Sequence, residues 1–296
     1  MICDTFENLN FGITIPGPEL HMTDNHKFID VEKALRSKNP GLYRILPRFL
    51  LTRLKNLVRQ DDMNRFVETH GHLGSLDFAE AIIHEFGPKV VVKGTENIPA
   101  SGGCIMAANH PLGGLDAMAL VSAVARSRKD IKFIVNDILL QIKNLREIFV
   151  GVNKHGRNST EALQSLDEIH NSGNIIMIFP AGLVSRKNDG IIRDLEWKKS
   201  FVSRARKHRL DIIPVYIKAR NTERFYNFAR WRERLGIKAN IEMILLPSEM
   251  YHQKGKTITI IFGKPIPHEL FDKSRTDAGW AHHIKELVYA LDTSHH

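Results

Sequence analysis

At 296 residues, 43% of them hydrophobic and 25% charged, the chain can bury a real core and is too apolar to be disordered. Its formal net charge of +9 favours a polyanion or an anionic membrane surface as a partner. Two cysteines, Cys3 and Cys104, exclude a disulfide framework and fit a reducing compartment, and no run reaches the ~18 apolar residues that a membrane span needs.

Residues 1–27 read as irregular. The first twenty carry acids early and no apolar run, so they do not resemble a signal peptide. From Lys33 to Gln60 there are eight basic residues and no acid. Within this stretch, GLYRILPRFLLTRLKNLVRQ (Gly41–Gln60) has helical apolar spacing through Ile45, Phe49, Leu50, Leu54 and Leu57. Arg44, Arg48, Arg53, Lys55 and Arg59 form its basic component, and Pro47 marks a first turn or a kink. Two readings stand: a helix packed on its own domain, or one lying on a membrane surface.

A second helical stretch covers about 61–86. Short β-branched runs then alternate with helical segments: KVVVKG, GCIMAANH, IKFIVN, IFVGVN, NIIMIFP, DIIPVYIKA, IEMILLP and KTITIIFG. Helical periodicity fills roughly 115–127, 136–146, 158–170, 193–208 and 222–235, and a last helix lies near 277–291. Strands apolar on both faces and alternating with helices predict an α/β fold. The expected sheet is mixed, mostly parallel and about seven strands wide, covered by helices, with an amphipathic helical N-terminal extension. The extension is expected over 1–84 and the α/β domain over 85–296.

Several chemistries lack their motifs. GKT at Gly255–Thr257 has Met250 where a phosphate loop requires glycine, and no G-x-G-x-x-G follows a strand. There is no G-x-S-x-G elbow, no H-E-x-x-H and no paired C-x-x-C, so no metal site is expected. Cys104 reads as a buried, inert thiol.

Chemistry concentrates in AANHPLGGLDAMAL (Ala107–Leu120). A buried strand ends at Asn109, and its polar residues appear where the strand leaves the sheet, the edge at which α/β folds bind ligands. Gly113 and Gly114 permit backbone shapes that other residues resist. Asp116 can be a plain helix cap and His110 a hydrogen-bonded turn residue. Together they can also be a base and its orienting carboxylate, since imidazole titrates in the physiological range. With no nucleophilic serine, such a base would act on a hydroxyl of a bound molecule.

NHPLGGLD resembles the histidine–aspartate motif of the glycerolipid and lysophospholipid acyltransferase superfamily. FVGVNKHGRNS (Phe149–Ser159), IIMIFPAGLVSRK (Ile175–Lys187) and IIPVYIKA (Ile212–Ala219) resemble its second, third and fourth blocks, in the expected order across about 85–265. Each block alone is weakly specific; four in order are strong. The resemblance implies His110 as general base and Asp116 as its orienter, with direct attack of the acceptor hydroxyl on an acyl thioester. It implies substrate contacts at Asn109, Gly113 and Gly114, at Asn153, Lys154 and Arg157, and at Phe179, Pro180, Gly182, Ser185, Arg186 and Lys187. Arg186 and Lys187, with the second-block residues, would hold acidic headgroup or donor phosphates. The donor would be acyl-carrier protein or a coenzyme A thioester, with no tightly bound cofactor. The partners would be membrane lipids and acyl-carrier protein, at the cytoplasmic face of the inner membrane, with the N-terminal helices resting on the bilayer.

Two departures qualify the match. Five residues separate His110 from Asp116 where the family has four, and the glycine pair must absorb the extra one. The third block has Ala181 for the family's acid and Leu183 for its threonine, and its arginine comes two positions later. This form resembles a bacterial "hemolysin-like" branch that includes O-acyltransferases completing ornithine- or glycine-type lipids. In that branch the acceptor is the hydroxyl of an N-(3-hydroxyacyl) chain, and the headgroup carboxylate needs a basic partner. A nucleic-acid-binding reading rests on RDLEWKKSFVSRARKHR (Arg193–Arg209) as a basic helix. Against it, Trp197, Phe201, Val202 and Ala205 give that helix an apolar packing stripe, and no nucleic-acid partner is expected.

Overall fold

The computed structural model describes residues 27–38, 40–151 and 159–292. The chain forms two compact units: one from the N-terminal residues through Leu73 together with Asn221–His252, the other from Gly74–Arg220 together with Gln253–His296.

The smaller unit begins with helices α1 (Val31–Lys38), α2 (Pro40–Ile45), α3 (Arg48–Leu57) and α4 (Gln60–His70). Pro47 breaks the expected single helix into α2 and α3: it sits just before the first turn of α3, where a proline loses no helical hydrogen bond. Arg59, in the left-handed conformation at φ 53°, then separates α3 from α4. Val31, Leu35 and Val58 are buried together with Leu46, Leu51 and Leu54 against them. The Asn64 amide joins α4 to the entering chain, accepting from the Ile29 N–H at 2.7 Å and donating to its carbonyl at 2.9 Å.

The larger unit opens with α5 (Ser75–Phe86), which Gly87 ends at φ 61°. Then follow β1 (Lys89–Lys93), β2 (Cys104–Ala108), α6 (Gly114–Ala125), β3 (Ile131–Val135), β4 (Phe149–Gly151), α7 (Ser159–Asn171) and β5 (Ile175–Ile178). A small hairpin, β6 (Arg186–Asn188) with β7 (Ile191–Arg193), precedes α8 (Ser200–His208) and β8 (Asp211–Lys218). The chain next forms α9 (Glu223–Arg234) and α10 (Leu246–Tyr251) in the smaller unit. It returns for β9 (Thr257–Phe262) and α11 (Asp277–Ala290).

The seven-stranded sheet has the order β1-β9-β8-β2-β5-β3-β4. Every neighbouring pair is parallel except β8 with β9. This is the mixed, mostly parallel α/β sheet that the alternation predicts. Side chains alternate across β2: Ile105 and Ala107 join Phe201, Val202 and Ala205 of α8 and Ile284 and Val288 of α11 in one core layer. On α6, every residue from Leu115 to Val124 is buried, as expected of a helix that is apolar all round.

Four expectations need correction. IEMILLP is helical, not a strand: Ile241–Leu245 is a 3-10 turn that runs into α10, with Pro247 in the first turn. Glu242 and Leu245, three apart, share the buried face, and Glu242 pairs with Arg232 at 2.9 Å. A short apolar run does not discriminate between the two states by period alone. The helix expected from 193 begins only at Ser200, because Arg193 ends the hairpin whose turn is Asp189–Gly190, both at positive φ. A boundary at 84 falls inside α5, which buries Phe78, Ala79, Ile82, Ile83 and Phe86 in the larger unit; the units divide at Leu73–Gly74. Likewise α9, read as a sheet-covering helix, belongs to the smaller unit. Amphipathicity specifies a buried face, not the partner that covers it.

Candidate active site

The site is built where β2 and β5 leave the sheet. Their register pairs Ala107 with Ile178, so the residues that follow each strand emerge side by side: Asn109 and His110 from one, Phe179 and Pro180 from the other. Asn109 is buried, and its amide is committed to backbone. Its Oδ1 accepts from the Ile217 N–H at 2.6 Å and its Nδ2 donates to the Ile217 carbonyl at 3.0 Å. It anchors the turn to β8.

The extra residue between His110 and Asp116 is absorbed at Gly113. Its φ of 99° and ψ of −126° lie where a side chain is not tolerated, and α6 starts immediately after it. Asp116 therefore occupies the third helical position, and not the N-cap. Its fully buried carboxylate accepts from the Leu112 N–H at 2.7 Å and the Gly113 N–H at 3.2 Å. Both of those bonds fall on Oδ2; Oδ1 and Oδ2 lie 3.1 and 3.2 Å from His110 Nδ1. One carboxylate thus caps the helix and holds the ring. An ionised carboxylate only accepts hydrogen bonds, so Nδ1 carries the hydrogen of the neutral imidazole and Nε2 is its basic nitrogen. The His110 side chain is 16% exposed, enough for a reactant to reach it.

The third block closes around this turn. The Phe179 ring stacks on the His110 ring at 4.0 Å between centroids, and Phe133 packs on Phe179 at 5.1 Å. The Ser185 N–H donates to the His110 carbonyl at 2.8 Å. Gly182, at φ 67°, accommodates the tight turn after Pro180; the Lys198 Nζ lies 3.1 Å from where a Cβ would project, and the Lys198 N–H donates to the Pro180 carbonyl. Arg186 is buried, and its guanidinium donates to the Val184 carbonyl at 2.7 Å, so it braces the loop. Lys187, half-buried, follows in β6. Asn153, Lys154 and Arg157 lie outside the described residues.

Sequence reasoning missed Asp194. Its buried carboxylate accepts from the His110 backbone N–H at 3.1 Å, the Ser185 Oγ–H at 2.5 Å and the Trp197 Nε1–H at 2.9 Å. Burial pushes this carboxyl above the ordinary carboxylate range, against the pull of those three donors. Lys285 of α11 donates to the Asp194 carbonyl at 2.9 Å, and the Asp194 N–H donates to the Tyr289 hydroxyl at 2.7 Å. The Asp–Gly turn in KNDGII was the available signal for the hairpin that delivers Asp194. The Cys104 thiol is pushed up to about 12 by burial, which fits the inert reading. Among the described residues, Asp211, His268 and Glu269 could together hold a metal ion. They cluster at the start of β8, the opposite end from its Ile217 contact with Asn109, and Asp211 Oδ1 already accepts the His268 N–H.

The Acyltransferase family model matches residues 33–292. The chain is 42% identical over 273 residues to the lyso-glycine lipid O-acyltransferase of Bacteroides thetaiotaomicron, covering 91% of this chain and 100% of that protein. It is 40% identical over 272 residues to the protein of the same name from Phocaeicola vulgatus, covering 91% and 98%. Among solved structures it is similar to the 1-acyl-sn-glycerophosphate acyltransferase PlsC of Thermotoga maritima, at a TM-score of 0.48 and 18% identity, over 89% of this chain and 92% of that one.

Proposed function

This chain belongs to the acyltransferase family and is an acyltransferase, and from that premise we propose that it moves a fatty acyl group from a thioester to the hydroxyl of a lyso-glycine-type lipid. The observation that carries the mechanism is the closed His110–Asp116 pair at the exit of β2. His110 Nε2 takes the proton of the acceptor hydroxyl as its oxygen attacks the thioester carbonyl carbon. The C–S bond then breaks, and the imidazolium returns the proton to the departing thiolate. Asp116 holds the tautomer and stabilises the imidazolium in between. Phe179 fixes the ring plane from one side, and the Asp194 network holds the backbone of the turn.

The acceptor class rests on the two relatives, each about 40% identical over nearly its whole length. Arg186 braces the loop of the third block, and we assign Lys187 and Lys198, in and beside that block, to the headgroup carboxylate. The donor is acyl-carrier protein or a coenzyme A thioester. The basic helix that favoured nucleic acid supports no such partner: Phe201, Val202 and Ala205 are buried, while Arg204, Lys207 and His208 converge on Asp167 at 2.8, 2.6 and 3.1 Å.

We place the enzyme peripherally on the cytoplasmic face of the inner membrane. No helix among the described residues is long and apolar enough to cross a membrane. The break at Pro47 between α2 and α3 is flanked by Ile45, 77% exposed, Phe49 at 65% and Leu50 at 41%, beside exposed Arg44, Arg48 and Arg53. The test is an acceptor competition: purified protein, acyl thioester, and equal N-(3-hydroxyacyl)glycine and lysophosphatidic acid. The expected outcome is a kcat/KM at least tenfold higher for the glycine lipid; a preference for lysophosphatidic acid overturns the acceptor assignment. Running acyl-carrier protein and coenzyme A thioesters in parallel assigns the donor.

A further inference from the structure

We propose that the outward face of α9 is a second lipid-contacting surface, seated on an anionic membrane. The inference rests on the peripheral-membrane reading above and adds a contact that reading does not use. On one side of α9, Phe225, Tyr226 and Ala229 are buried, and Arg232 pairs with Glu242. That side supplies the helix with its inward face. The other side is again aromatic: the Phe228 and Trp231 rings stack at 5.9 Å and 13°, Trp231 is 51% exposed, and the following Leu235 is 55% exposed.

Charge on this sector has one sign. At about 100° per residue, Arg224 and Arg234 fall within about 60° of Trp231, whereas Glu223 and Glu233 fall about 80° and about 160° away. Both arginines are exposed. A stacked indole–phenyl pair flanked by guanidinium groups fits the headgroup boundary of an anionic bilayer, where the rings lie among acyl chains and the cations meet lipid phosphates. A second copy of this chain fits worse, because a two-fold contact through this face brings Arg224 and Arg234 against their own duplicates. The smaller unit carries this character elsewhere as well. Of the ten exposed large hydrophobic side chains among the described residues, five belong to it: Ile45, Phe49, Leu50, Trp231 and Leu235.

The chain contains its own reporter. Of its three tryptophans, Trp197 and Trp280 are buried at 4% and 9% exposure, leaving Trp231 as the accessible one. The experiment titrates the full-length protein with phosphatidylcholine vesicles with and without phosphatidylglycerol, bearing brominated acyl chains. Fluorescence is read as the difference between wild type and Trp231→Phe. The expected result is a blue shift and bromine quenching of the Trp231 component with the anionic vesicles. The Arg224→Gln/Arg234→Gln variant should bind them roughly tenfold more weakly. If the protein sediments with vesicles while the difference spectrum stays unmoved, α9 does not meet lipid and the inference falls. A shift that grows with protein concentration alone assigns the face to a second copy, and one produced by acyl-carrier protein without vesicles assigns it to an acidic protein; either overturns the proposal. Failure to sediment at all overturns the membrane reading beneath it as well.

Discussion

Gly113 decides whether His110 and Asp116 meet, because its φ of 99° lets a five-residue spacer close where four is the family pattern. Gly113→Ala places a methyl group in that conformation, at a penalty on the order of 1–3 kcal/mol. The expected outcome is a lower melting temperature and kcat reduced at least tenfold, read by thermal denaturation and steady-state rates; unchanged kcat would show that the pair does not depend on this turn. Asp194→Asn tests the support beneath the histidine. An amide can present an NH2 group to donors that the carboxylate accepted from, Trp197 Nε1–H or the His110 N–H. A loss of roughly 1–3 kcal/mol is expected in denaturant titration, with kcat falling more than KM rises. His110 and Asp116 were legible because both sit in one short motif at a strand end. Asp194 was not, because its partners His110 and Ser185 lie 84 and 9 residues away in sequence and only the fold gathers them.

Among the elements, periodicity located the parallel strands well, since each is a short β-branched run between turn residues. It failed where the same composition serves two structures. IEMILLP has a strand's apolarity, but Glu242 must reach Arg232, and only the tight turn puts it on the inward face. The α7–α8 contact makes a prediction of its own. Burial pushes His170 from 6.5 down to about 4, and Lys207 with His208 and Arg204 holds Asp167 at about 2 against an ordinary 3.8. A buried neutral histidine stabilises only while the unfolded chain is also neutral, so its contribution is present above about 6.5 and is lost as pH falls toward 4. Of order 1–2 kcal/mol should disappear across that window after allowing for solvent screening. The Asp167 ion pairs fail separately, as pH falls from about 3.8 to about 2. Thermal melts against pH check this: His170→Gln should flatten the decline between 6.5 and 4, and an unaltered slope would place its origin elsewhere.

At the scale of the whole molecule, the sequence carries a strong positive charge and no apolar run long enough for a membrane-spanning helix, but no linker marks where one unit ends. Residues 221–252 return to the unit of the N-terminal helices, a topological fact that no local pattern encodes. On the proposed membrane reading, a net charge of +9 and arginines beside exposed apolar side chains predict vesicle binding that depends on salt as well as on anionic lipid. Sedimentation with anionic vesicles should weaken severalfold between 0.05 and about 0.5 M salt, where the screening length shrinks to a few ångströms. Salt-independent binding would leave hydrophobic contact as the whole of it. We propose above all that His110, held by Asp116, is the general base for acyl transfer from a thioester to the hydroxyl of a lyso-glycine-type lipid. Mass spectrometry of the reaction of purified protein with N-(3-hydroxyacyl)glycine and an acyl thioester tests it most directly. Wild type should yield the diacylated lipid, and His110→Ala should lower the rate by roughly 10²–10⁴ while melting at the same temperature within a few degrees. Full activity in a folded His110→Ala enzyme would contradict the account.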